Sequence, residues 1–241
     1  MRRVPWVRMP SSWILQDGLR TFLWKEDSLG KPALKIAALR CYIVIAMHLE
    51  LRYKESENDP FGGLVEEHVA IISYTKLSEM AGISRASLSG GLHVLEQNGV
   101  ITRELEGRNN VYRVTGFNGN NGWCKLPCRA LLSSDLRTLK PFQDRPLRSK
   151  KELYALKMYL YLCAVRDNRT LPVVASYEKI NAATSIPERE IPGAWAYLIG
   201  IGLLSHVSKK EPDVAGKIRH ANEYYLMGYR DLVMTQSGPK K

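Results

Sequence analysis

The chain repeats itself, and this constrains its fold more than any other feature. WVRMPSSWILQDGLRTF from Trp6 aligns without a gap on WCKLPCRALLSSDLRTL from Trp123, an offset of 117 residues. The same offset pairs AALRCYIVIA (37–46) with YALKMYLYLC (154–163). Trp6, Pro10, Leu15, Leu19, Arg20, Thr21, Ala38, Leu39 and Tyr42 all recur as the same residue type at that offset. Downstream, SYTKLSEMAGISRASLSGGLHVLEQNGVITR from Ser73 meets SYEKINAATSIPEREIPGAWAYLIGIGLLSH from Ser176 at an offset of 103. The first copy therefore carries 14 extra residues (117 minus 103), assigned to the polar loop KESENDPFGG. VYRVTGF then meets EYYLMGY at 112, so the second copy gains nine residues (112 minus 103) before its last strand. Apolar positions match apolar positions while the gaps fall in loops, which absorb insertions at small entropic cost. The expectation is a tandem duplication with units 1–117 and 118–241, residues 118–151 forming the linker and N-terminal segment of the second.

Within the first unit, WVRMP alternates as an extended strand does. Ile36, Leu39, Ile43, Met47 and Leu51 mark the apolar stripe of a helix from about Leu34 to Tyr53. HVAIIS predicts a short strand, and Ser73 an N-cap for a short helix reaching about Met80. Ala81 and Gly82 supply a turn, Ile83 an anchor, and Ser84 the cap of a second helix ending near Asn98, before Gly99. VITRELE and VYRVTGF, joined by GRNN, predict a hairpin.

This order of elements, over 34–117 and again over 152–229, resembles the winged-helix DNA-binding family. The most specific stretch is KLSEMAGISRASLSGGLHVLEQNGVI. Ala81, Gly82, Ile83 and Ser84 match the family's turn, Leu88, Leu92 and Leu95 its buried positions, and Gly99-Val100-Ile101 its entry to the wing. The second copy keeps Ile186, Ile191, Leu198, Gly202, Leu203 and Leu204 but departs at Pro187, Glu188, Glu190 and Pro192. With the Arg8-Met9-Pro10 and Lys125-Leu126-Pro127 segments and the duplication, the chain is similar to plasmid-type replication initiators. The resemblance implies a mainly α fold with small β wings (α+β), built as two tandem winged-helix domains that bind double-stranded DNA.

Charge agrees with a polyanionic partner: 35 Lys and Arg against 24 Asp and Glu leave a net +11. The first unit holds 15 basic and 13 acidic side chains, net +2, so the second carries 20 and 11, net +9. In helix-turn-helix geometry the second helix presents its early exposed positions to the major groove. With the leucines facing inward, Arg85, Ser87, Ser89 and His93 face outward, and Arg85 suits a guanine edge. Ser84, Ser87, Ser89 and Lys76 suit phosphate, while Gly90 and Gly91 keep the helix slim for close approach or tight packing. Arg108, Asn109 and Asn110 form the tip of the first wing. In the second unit the expected DNA contacts are Arg145, Arg148, Lys150 and Lys151 in the linker, and Lys209, Lys210, Lys217 and Arg219 in the wing loop. Lys125, Arg129, Arg137 and Lys140 add to the same basic stretch.

No catalytic motif is present: no phosphate-binding glycine loop, no nucleophile elbow and no HExxH. No cofactor or metal is expected, since Cys124 and Cys128 lack a second Cys or His pair at zinc spacing. The longest apolar run of the first half, Cys41 to Met47, is too short to span a bilayer. Pro5, Arg8 and Pro10 break any leader, so the bacterial cytoplasm, with nucleoid or plasmid, is the expected place. Three roles follow: replication initiator, transcription regulator, or a protein assembly module. In the third, the acidic second helix would contact another copy or a replication or transcription protein.

Overall fold

The computed structural model describes residues 4–55, 64–107, 109–167, 170–209 and 221–232. The chain begins with β1 (Val7–Pro10), whose partner is far away in sequence, β6 (Trp123–Leu126). They form a two-stranded antiparallel sheet in which Arg8 lies opposite Lys125, Val7 opposite Leu126 and Met9 opposite Cys124. Arg8 and Lys125 are each other's counterparts at the 117 offset, so a local two-fold axis passes through that pair. The side chains obey it. The Arg8 guanidinium lies 4.8 Å from the Trp123 ring centroid, and the Lys125 ammonium 4.6 Å from that of Trp6. Trp6 and Trp123 stack with 7° between their planes. Each cation sits over the other unit's aromatic ring, an attraction that strengthens with desolvation.

Between these strands lie α1 (Ser12–Leu15), α2 (Pro32–Met47), β2 (Leu49–Glu55), β3 (Leu64–Ile72), α3 (Tyr74–Ala81), α4 (Arg85–Gln97), β4 (Ile101–Glu106) and β5 (Asn109–Val114). After β6 come α5 (Lys150–Val165), β7 (Val173–Ala175), α6 (Tyr177–Thr184), α7 (Ile191–Gly200), β8 (Leu204–Ser208) and β9 (Asn222–Leu226). The antiparallel sheets have strand orders β1-β6, β2-β3-β5-β4 and β7-β9-β8.

The expectation of a mainly α fold with small wings is therefore wrong: the chain is α+β with three antiparallel sheets. The error lies at the end of the first long helix. That helix stops at Met47, and LELRYKE continues as β2, seven residues paired along their whole length with β3. Leu49, Leu51 and Tyr53 alternate with Glu50, Arg52 and Lys54, the period of a strand. Leu51 also falls on the helical stripe, which masked the change of period. β3, at nine residues, is likewise longer than HVAIIS.

The core is continuous across both halves. α2 and α5, buried for most of their lengths, pack against each other at its centre. α4 crosses α2 so closely that a Cβ on Gly91 would lie 2.8 Å from the Ala38 nitrogen and 2.9 Å from the Ala37 carbonyl carbon. Glycine is required there by the packing of two helix backbones. On the other side of α2, the buried Arg40 guanidinium donates to the carbonyls of Ala81 (3.3 Å), Gly82 (3.2 Å), Phe142 (3.1 Å) and Arg145 (3.2 Å) and to the Glu152 carboxylate. One side chain thus ties the α3–α4 turn, the 139–146 segment and α5 together. The "linker" is consequently packed structure: a Cβ on Gly82 would meet the Phe142 carbonyl oxygen at 2.3 Å.

Removing one member of a buried, hydrogen-bonded ion pair leaves the other uncompensated, at a cost of about 3–5 kcal/mol. Arg40→Met is expected to lose stability of that order in chemical denaturation, and Arg40→Met/Glu152→Met to recover part of it. Gly91→Ala is expected to destabilise by about 1–3 kcal/mol through overpacking.

Candidate nucleic-acid interface

α3 and α4 are built to hold a polar face outward. The Ser73 and Ser84 hydroxyls cap the two helices, accepting from the backbone N–H of Lys76 (3.3 Å) and Ser87 (3.2 Å). Gly82, at φ +61°, ends α3, and the Ser78 hydroxyl donates to the Ile83 carbonyl at 2.6 Å across the turn. Leu88, Leu92 and Leu95 are fully buried, as the helical spacing predicts. Thr75, Lys76, Ser84, Arg85, Ala86, Ser89 and His93 are left exposed. The Arg85 guanidinium donates to the Thr75 hydroxyl at 2.7 Å, and the Tyr74 hydroxyl donates to the Arg85 carbonyl at 3.1 Å. Arg85 is thus held over the opening between the helices. Thr75, absent from the sequence-derived set, positions it; only contact across the turn reveals that role. Ser84 and Ser87 are bonded to each other (3.0 Å), so they act first as the cap.

The first wing is electrostatically self-contained. On its outer face Arg52 pairs with Glu67 and Glu106, and Arg113 with Glu67 and Glu104, at 2.7 to 2.9 Å. Burial alone would raise the Glu67 pKa, but the guanidiniums of Arg113 and Arg52 hold it below its ordinary value. Arg103 pairs with Glu96 at 3.2 Å. Asn109 is exposed and Asn110 half-buried. Arg108 lies outside the described residues.

In the second unit the basic residues divide into two classes. Lys125 is buried and donates to the Leu232 carbonyl at 2.9 Å. The half-buried Arg145 guanidinium lies 5.9 Å from the Tyr197 ring centroid on α7. Lys150 donates to the Glu190 carboxylate at 2.7 Å, which holds its pKa above the ordinary value. Each of these three has a partner within the chain, Lys150 in an ion pair at the surface. By contrast Arg129, Arg137, Lys140, Arg148 and Lys151 are exposed and have no ion-pair partner among the described residues. Arg129 and Lys140 flank an open groove of about 420 Å³ lined also by Leu132, Ser133, Ser134 and Leu136.

α7 differs from α4 on its outward side, where Pro192, Ala196 and Ile199 are exposed and Trp195 is half-buried. Glu190 is occupied by Lys150, and Glu188 is exposed. Lys209 is exposed near Trp195, its ammonium 5.9 Å from the ring centroid. Lys210, Lys217 and Arg219 lie outside the described residues.

The four cysteines are buried and unpaired, and burial pushes the Cys124 and Cys128 thiols up to about 12 and about 11. Among the described residues no three His, Cys, Asp or Glu gather as a metal set, and no helix is long and apolar enough to cross a membrane. No family model matches the chain, and no curated protein or solved structure matches it.

The two classes of cation separate by experiment. Arg145→Ala is expected to lower the denaturation midpoint while leaving the salt dependence of any polyanion binding unchanged. Arg137→Ala/Lys140→Ala is expected to flatten that dependence and leave the midpoint in place.

Proposed function

We propose that the chain binds double-stranded DNA, with α4 entering a major groove and the free cations of 129–151 following the backbone. The observation that carries this reading is the outward face of α3 and α4. It concentrates Lys76, Arg85, Ser89 and His93, none of them in an ion pair among the described residues, whereas the neighbouring wing neutralises its own arginines. Arg85 reads a guanine through two hydrogen bonds, and Lys76 and Ser89 take flanking phosphates. The resemblance to plasmid-type replication initiators makes origin binding the first role to test, with promoter occupancy as its competitor. The apolar outward side of α7 favours a second reading for that helix: it contacts a protein, either another copy or a replication or transcription protein.

Selection of bound sites from random DNA, followed by affinity measurements against salt, tests the reading. Arg85→Ala is expected to relax preference at one base pair, a discrimination of about 1–3 kcal/mol. Arg137→Ala/Lys140→Ala/Lys151→Ala is expected to weaken binding on every sequence and to reduce the slope of log K against log salt by about 3. Loss of the replicon on deleting the gene, against a mere change in transcript level, separates initiator from regulator. No enriched site and no salt-dependent binding would refute the proposal.

A further inference from the structure

The interface between the halves is half-balanced in charge. At the 117 offset, Arg40 corresponds to Lys157 and Glu152 to Lys35. The local two-fold axis therefore carries the Arg40–Glu152 ion pair onto a Lys157–Lys35 pair of like charge. Both lysine side chains are fully buried, and both hold the backbone after α1. Lys157 Nζ donates to the Phe22 carbonyl at 2.8 Å, whereas Lys35 Nζ donates to the carbonyls of Leu23 (3.2 Å) and Lys25 (2.8 Å) and to the Asp27 carboxylate (2.7 Å). This mirrors Arg40 on the Phe142 and Arg145 carbonyls. Lys35 has its own counter-ion; among the described residues Lys157 has a single carbonyl and no carboxylate. Of the titratable and charged groups on α1, α2, α6, α7 and β6, the elements packed on α5, Lys35 is the one that acts on the Lys157 charge.

We propose that Lys157 is a proton-operated latch between the two halves of the chain. Neutral, it keeps α5 seated on the Phe22–Asp27 segment; protonated, it places an uncompensated charge beside the Lys35–Asp27 pair and loosens that side, while Arg40 and Glu152 hold the other as a hinge. Opening changes the placement of α4 relative to α6 and α7, and with it the spacing of any two surfaces used together. Burial first and the Lys35 charge second push the Lys157 pKa down to about 7, which places the switch near neutrality. An unfolded lysine titrates near 10.5. Between those values the folded chain holds fewer protons than the unfolded one, so stability rises with pH through that window and levels off below about 7.

The test needs no DNA. Spin labels on Gln97→Cys and Glu178→Cys, both exposed in the native chain, report the separation of the halves, because the four native cysteines are buried. The full-length chain is expected to give one narrow distance distribution at pH 9 and an added, longer component at pH 6. Lys157→Met, which is never charged, is expected to give the narrow distribution at both pH values and a denaturation midpoint that no longer climbs between pH 7 and 9. Lys157→Arg, which is always charged, is expected to show the longer component at pH 9. Identical distributions at pH 6 and pH 9 in the native chain would overturn the proposal, as would a pH response that survives in Lys157→Met. Should Lys157→Arg fail to fold, the comparison of native chain with Lys157→Met still decides.

Discussion

The Arg40 guanidinium is the interaction on which the rest of the arrangement depends. It is buried in the centre of the core, and its N–H groups reach the turn between α3 and α4, the segment entering the second half, and the first turn of α5. A planar, permanently charged group with divergent donors is suited to this work; a lysine presents a compact point charge. The counterpart position, Lys157, shows the difference, since it engages one carbonyl where Arg40 engages four and a carboxylate. The two halves are consequently joined by unequal clasps around a common axis.

That junction also determines which charges remain for a partner. A basic residue whose charge already has a partner in the folded chain has less to offer an outside one: Lys125 donates to a carbonyl, Lys150 pairs with a carboxylate, Arg145 lies near the Tyr197 ring, and the wing arginines of the first half are matched by glutamates. Around the proposed interface what is left is Lys76 and Arg85 on the first half, and Arg129, Arg137, Lys140, Arg148 and Lys151 on the second; Lys25, Lys31, Lys179, Arg189, Lys209 and Arg230 are also exposed with no ion pair among the described residues. The outer side of α7 has no such residues and is apolar instead, so the two helix pairs offer partners different chemistry.

Much of the α3–α4 unit was legible because its signals are local. Ser73 and Ser84 are caps, Gly82 is a left-handed stop, and three leucines at helical spacing face inward, each a property of a few neighbouring residues. β2 was not legible, because Leu51 satisfies both a helical stripe and a strand alternation, and only its pairing with β3 decides between them. Gly90 and Gly91 left two readings open. Contact with Leu34 for the first and with the α2 backbone for the second assigns both to packing. The role of Arg145 was likewise invisible, since Tyr197 lies 52 residues away (197 minus 145) and no local pattern links them.

By itself the sequence determined the periodic and the local: the offsets at which the chain matches itself, the caps and stops of α3 and α4, the inward leucines, and the excess of positive charge in the second half. Tertiary structure alone decided how the halves meet and which cations are free. The first depends on pairs more than a hundred positions apart, such as Arg8 with Trp123 and Arg40 with Glu152, and the second on contacts between separate elements, such as Lys150 with Glu190 and Arg52 with Glu67. Whether a charge is buried against a partner or left in water is a property of the packed surface around it, and sequence spacing does not encode that surface.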